Sequence, residues 1–122
     1  MPKLNRVLET VLYVADLDTA AAFYTDVLGL PCIHSDHRMR AYDVSGNGVL
    51  LLFSQGQSLE PIQTPGGSIP PHDGQGPMHV AFSIFPDELA AWQEHLQAAG
   101  VSLEGRTQWP RGGVSWGERL LP

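Results

Sequence analysis

A single cysteine, Cys32, in 122 residues leaves no internal disulfide to hold the fold together. It lies between Pro31 and Ile33, so a buried structural thiol is expected rather than a nucleophile, in a reducing, cytoplasmic setting. Basic residues are also scarce: seven Lys and Arg against thirteen Asp and Glu give a formal net charge of −6. With no basic stripe, neither nucleic acid nor an anionic membrane is an expected partner. No apolar run approaches the roughly 20 residues that span a bilayer. Glu9 interrupts the N-terminal apolar stretch, and no signal peptide is expected. The chain has no Gly-x-Gly-x-x-Gly, P-loop, Cys-x-x-Cys or Gly-x-Ser-x-Gly, which removes nucleotide, zinc-ribbon and serine-hydrolase readings.

What is present fits one soluble domain, 43% hydrophobic and 16% charged, with thirteen glycines and ten prolines punctuating it. The stretch NRVLETVLYV reads as a strand with a carboxylate, Glu9, in its middle. A charge in such a strand needs a partner, because a buried unpaired carboxylate costs several kcal/mol. ADLDTAAAFYTDVLGL follows. Asp16 or Asp18 caps a helix there, Leu17, Ala20, Ala21, Tyr24, Val27 and Leu28 recur at helical spacing, and Gly29 stops it. CIHSDH, MRAYDVSG and VLLLFS read as short strands, the last two joined at Gly46-Asn47-Gly48.

The pattern then recurs. MHVAFSIFPDELAAWQEHLQAAGV is again a strand, a capped turn and an amphipathic helix, with Leu89, Trp92, Leu96 and Ala99 on one face and Gly100 ending it. His79 occupies the place of Glu9, 70 residues on. Two βα-started modules follow from this, residues 5–54 and 78–122, joined by a Pro- and Gly-rich linker over 55–77. If equivalent strands meet near a pseudo-twofold axis, Glu9 and His79 converge. A carboxylate with an imidazole is a usual ingredient of a divalent-metal site, a buried ion pair being the plainer alternative. His72 in the linker motif PPHDG is a candidate substrate contact. Arg111 offers a guanidinium fork to an anionic group. Tyr13, Tyr42, Phe53, Phe85 and Trp109 either line an apolar pocket or fill the core. His34, Asp36 and His37 do not share one strand face and are read as surface residues.

A β-α-β-β-β unit used twice, carried by LETVLYVADLDTAAAFYTDVLGL, GVLLLF, PPHDGQGPMHVAFSI and TQWPRGGVS, resembles the vicinal oxygen chelate superfamily of glyoxalases, extradiol dioxygenases, and fosfomycin- and bleomycin-resistance proteins. The resemblance implies an α+β fold in which paired modules form an open, mixed-sheet cup around a divalent metal (Zn, Ni, Fe, Mn or Mg). It also implies a homodimer, a small oxygen-rich substrate, and lyase or dioxygenase chemistry, with metal-free ligand sequestration as the alternative. Glu9 and His79 match first-strand ligand positions, and Glu9 is also a candidate base. The last-strand position of module one falls near Leu51, whose side chain cannot bind metal, a departure that points away from methylglyoxal chemistry. After RGGVS the chain reads WGERLLP, without the turn and last strand relatives usually carry. The second module is therefore read as shortened at its C-terminus, leaving Glu118 as the acidic residue for a third ligand. A truncation, or a final strand supplied by a partner subunit, would account for it.

Overall fold

The computed structural model describes residues 1–108 and 114–118, the latter in backbone only. The chain divides into two units, Met1–His79 and Val80–Leu121. The first unit opens with β1 (Glu9–Val14) and α1 (Leu17–Ala22), which continues into a wider π-helical turn at Phe23–Val27. β2 (Cys32–Ser35), β3 (Met39–Asp43) and β4 (Val49–Ser54) complete the expected β-α-β-β-β order. The sheet runs β1-β4-β3-β2, with β1 parallel to β4 and the other pairs antiparallel.

Local chemistry accounts for each boundary. Asp16 caps α1, its Oδ1 accepting the Thr19 backbone N–H at 3.1 Å. That bond holds the Asp16 carboxyl below its usual pKa. The Leu28 N–H reaches the Phe23 carbonyl, the longer reach of a π turn, and Gly29 at φ 68° then turns the chain. The β3–β4 hairpin forms where expected, but Ser45 (φ 53°) and Gly46 (φ 71°) are its left-handed residues rather than Asn47 and Gly48. The Asp43 carboxylate accepts the Gly46 N–H, and Asn47 closes the turn on the Val44 carbonyl.

Residues paired side by side point to the same face, so the registers sort the sheet into two faces. Leu50, Leu52 and Tyr42 face α1 and form the core with Leu17 and Tyr24, flanked by Leu12, Val14, Phe23 and Leu28. Tyr42 is completely buried. Its hydroxyl donates to the Ala21 carbonyl at 3.1 Å, and Thr25 Oγ1 lies at the same distance. The opposite face carries Glu9, Val11 and Tyr13 beside Val49, Leu51 and Phe53.

Cys32 is exposed, contrary to expectation. The reason is topological: β2 is the outermost strand, and all four of its residues are exposed. The β2–β3 connection is held by Asp36, which accepts the N–H groups of Arg38 and Met39 and a 2.9 Å bond from His34 Nε2. Partial burial works against the Asp36 charge, but these donors outweigh it and hold its carboxyl at about 2 instead of 3.8. Because the folded value is the lower one, this stabilisation is complete above pH 4 or so and is lost as pH falls through about 2. It amounts to about 1 kcal/mol, since 36% of the side chain remains in solvent. Asp36→Asn should melt lower than wild type at neutral pH, with the difference closing by pH 2. A difference that ignores pH would remove the charge from the account.

Two segments differ from the sequence reading. Within 55–77, β5 (Ile62–Thr64) and β6 (Gly67–Ile69) form a small hairpin around Pro65-Gly66. In the second unit, 80–85 carries no ladder among the described residues, and Phe82, Ile84 and Phe85 are exposed. The alternation was real, but a strand exists only with a neighbour to bond, which local pattern cannot supply. After a 3₁₀ turn at Pro86–Glu88 comes α2 (Leu89–Ala98), ended by Gly100 at φ 80°. β7 (Leu103–Gln108) then pairs antiparallel with β8 (Val114–Glu118). No helix among the described residues is long and apolar enough to cross a membrane.

Candidate functional site on the open sheet face

The face turned away from α1 gathers most of the predicted site residues of the first unit. Glu9 begins β1 opposite Val49 and is exposed. Among the described residues no hydrogen bond or ion pair engages its carboxylate. A strand with one buried face places it there by period-2 alternation, two and four residues before Val11 and Tyr13.

At the other end of the face the side chains are tightly engaged. Tyr13 and Phe53 are register partners with ring centroids 6.1 Å apart. His72 reaches them from the loop after β6: its Nδ1 is 2.8 Å from the Tyr13 hydroxyl, and its ring meets Phe53 edge-on at 4.5 Å. His72 is thus a half-buried contact of the sheet rather than a solvated loop residue. Its position is fixed from behind, because its backbone N–H donates to the carbonyl of Ser58, a residue only 2% exposed. Asp73 straps the same loop down by accepting the Gly56 N–H at 3.0 Å.

Arg38 was not picked out by the sequence. It sits just before β3, with its guanidinium carbon 5.1 Å from the centre of the Phe53 ring and Nη1 donating to Ser58 Oγ at 2.6 Å. Nothing in HSDHRMR marks this arginine out from Arg40, which instead pairs with Asp18 on α1. Phe53 is 94% buried because Arg38 and His72 cover it, so its burial has a different origin from that of Leu50 and Leu52.

His79 closes the first unit and is exposed. It follows Met78, whose thioether sulfur accepts the Tyr13 backbone N–H at 3.4 Å on the outer edge of β1. No ion pair joins His79 to Glu9 among the described residues, nor do three or more His, Cys, Asp or Glu side chains there gather as a metal-holding group. Phe85 belongs to the second unit and is 73% exposed. Glu118 is the last residue of β8, opposite Leu103; its side chain, with Trp109 and Arg111, lies outside the described residues. A hollow of about 420 Å³ lies in the second unit between α2 and β7, lined by Gln93, Leu96, Gly100 and Leu103 among others. None of the residues lining it is titratable.

Comparison with known proteins supplies the family. Among curated proteins none matches the chain. Among solved structures, a lactoylglutathione lyase from Agrobacterium tumefaciens is 30% identical, with a TM-score of 0.80 over 93% of this chain and 84% of that one. The fosfomycin resistance protein FosX from Listeria monocytogenes (20% identity, TM-score 0.65, 95% and 84% covered) is alike in fold. So is a virulence protein from Salmonella typhimurium (20%, 0.67, 96% and 87%). The model of the Glyoxalase/Bleomycin resistance protein/Dioxygenase superfamily matches residues 3–112. The chain, with the open mixed sheet of its first unit, belongs to that superfamily.

Proposed function

We propose that this protein is a divalent-metal enzyme of the vicinal oxygen chelate type, acting on a small oxygen-rich molecule held against the open sheet face. The observation that carries the reading is Glu9: a carboxylate on that face, left without a protein partner among the described residues, in a chain of this family. Glu9 and His79 would be two of the ion's ligands, a hard oxygen and a borderline nitrogen, neither side chain engaged by a hydrogen bond or ion pair among the described residues. Glu118 is the proposed third. When bound, such an ion supplies Lewis-acid stabilisation of negative charge developing on substrate oxygen.

The remaining roles belong to the chain itself. Val11 and Leu51 present apolar surface that excludes water, while Phe53 packs beneath Arg38 and His72 and supports them. Tyr13 and His72 hold a proton between them over 2.8 Å, where substrate oxygen can be oriented. Glu9 serves as the base that takes a substrate proton. Phe85, Trp109 and Arg111 are proposed to complete the substrate contacts, and the active species is proposed to be a cytoplasmic homodimer of two-module chains, with modules 5–54 and 78–122.

A second reading, a metal-free protein that sequesters a ligand, is favoured by Leu51, which stands beside Val11 where a ligand residue would be needed. Metal analysis of protein purified without chelator separates the two. About one ion per chain, lost in both Glu9→Gln and His79→Gln, is the expected result. No ion in wild type, with undiminished binding of an aromatic ligand in both variants, would establish sequestration instead.

A further inference from the structure

Arg38 and Arg40 stand two residues apart, and the chain treats them differently. Arg40 donates to the Asp18 carboxylate at 2.9 Å and to the carbonyls of Asp36 and Met39. That is a structural arginine with a carboxylate partner. The Arg38 guanidinium has no carboxylate partner among the described residues, although acids outnumber basic residues thirteen to seven. Asp36 is only two residues away, yet takes the backbone N–H of Arg38 and leaves the guanidinium alone. Of five guanidinium N–H donors, one is directed to Ser58 Oγ. The group is half-buried and rests on an aromatic ring. Holding a cation partly out of water without a counter-charge is costly, and a ring face offsets only part of that cost.

Ser58 ties this cation to His72. Its hydroxyl takes the Arg38 N–H and its carbonyl takes the His72 N–H, while both side chains lie against Phe53. A buried serine thus fixes a guanidinium and an imidazole at the same end of the open face. Tyr13 Oη lies 2.8 Å from His72 Nδ1, and in the tautomer in which Tyr13 donates to Nδ1 the Nε2–H of His72 is a second donor.

We propose that Arg38, flanked by His72, forms an oxyanion subsite that binds a carboxylate or phosphonate group of the substrate. This deepens the reading given above and makes the substrate an anion, as well as oxygen-rich. The anion supplies the charge that the chain withholds from Arg38, through the planar fork that suits either group. The other end of the ligand then extends along Tyr13 and Val11 toward Glu9.

Benzoate and methylphosphonate are the probes, titrated by calorimetry and NMR into chelator-treated protein, so that the outcome does not depend on any metal. Wild type should bind one of them saturably, with a Kd on the order of millimolar, and with shifts centred on His72. Which probe binds identifies the anion as carboxylate or phosphonate. Arg38→Gln and Arg38→Met should each weaken binding tenfold or more, Met keeping the packing on Phe53 if Gln does not fold. Arg38→Lys should keep the charge and lose part of the affinity. No saturable binding of either probe to wild type, or affinities within twofold in folded Arg38→Met, would overturn the subsite. Anion binding here, with no metal found in protein purified without chelator, would sink the metalloenzyme reading and leave this one standing.

Discussion

Leu52→Ala is expected to lower the stability of the first unit by about 3–4 kcal/mol, with Leu51→Ala costing less than about 1. The two leucines are adjacent in an all-apolar run, VLLLF, and composition cannot separate them. Register does: Leu52 lies between Leu12 and Arg40 on the face covered by α1 and is fully buried, while Leu51 is half-exposed on the open face. Among the described residues the fully buried side chains are few, Tyr42, Leu50 and Leu52 being the largest. A cavity there therefore removes a large share of a total stability that is about 5–15 kcal/mol for a typical domain. At about 4–8 °C per kcal/mol, a fall in melting temperature of 12 °C or more is expected. Equal effects at positions 51 and 52 would mean that the faces are wrongly assigned.

Gly74→Ala should cost about 1–3 kcal/mol and dismantle the Tyr13–His72 pair. The backbone at Gly74 is not in the left-handed region, so conformational freedom is not why glycine is there. Space is the reason: a Cβ would lie 2.5 Å from Tyr13 Cδ2 and 2.9 Å from Cε2. The ring cannot move away without breaking its 2.8 Å bond to His72. Loss of the His72 ring signals typical of a hydrogen-bonded imidazole reports the change, and the double variant Gly74→Ala with Tyr13→Ala should recover part of the stability. Additive losses in the double variant would rule out the clash.

The parts of the fold that rest on local pattern were legible. VLLLFS is β4 to the residue, Asp16 caps α1, and Gly29 ends the helical segment. Whatever depended on a neighbour was not. Cys32 follows its strand to the sheet edge, a fact of topology. The segment after His79 has the alternation of a strand but no ladder among the described residues. Glu9 and His79 were singled out as proposed ligands because the chain repeats itself, and His72 because its motif stood apart. Arg38 was invisible, since its meaning comes from the lack of a carboxylate partner among the described residues and from Ser58, twenty residues away.

The central claim is that Glu9 and His79 bind one and the same ion. A double-mutant cycle on cobalt(II) affinity, followed by its visible absorption, tests this most directly. Glu9→Gln and His79→Gln should each weaken binding by about a hundredfold, and the double variant should lose much less than the product of the two. Strictly multiplicative losses, or a wild-type chain that gives no cobalt spectrum at all, would contradict the claim.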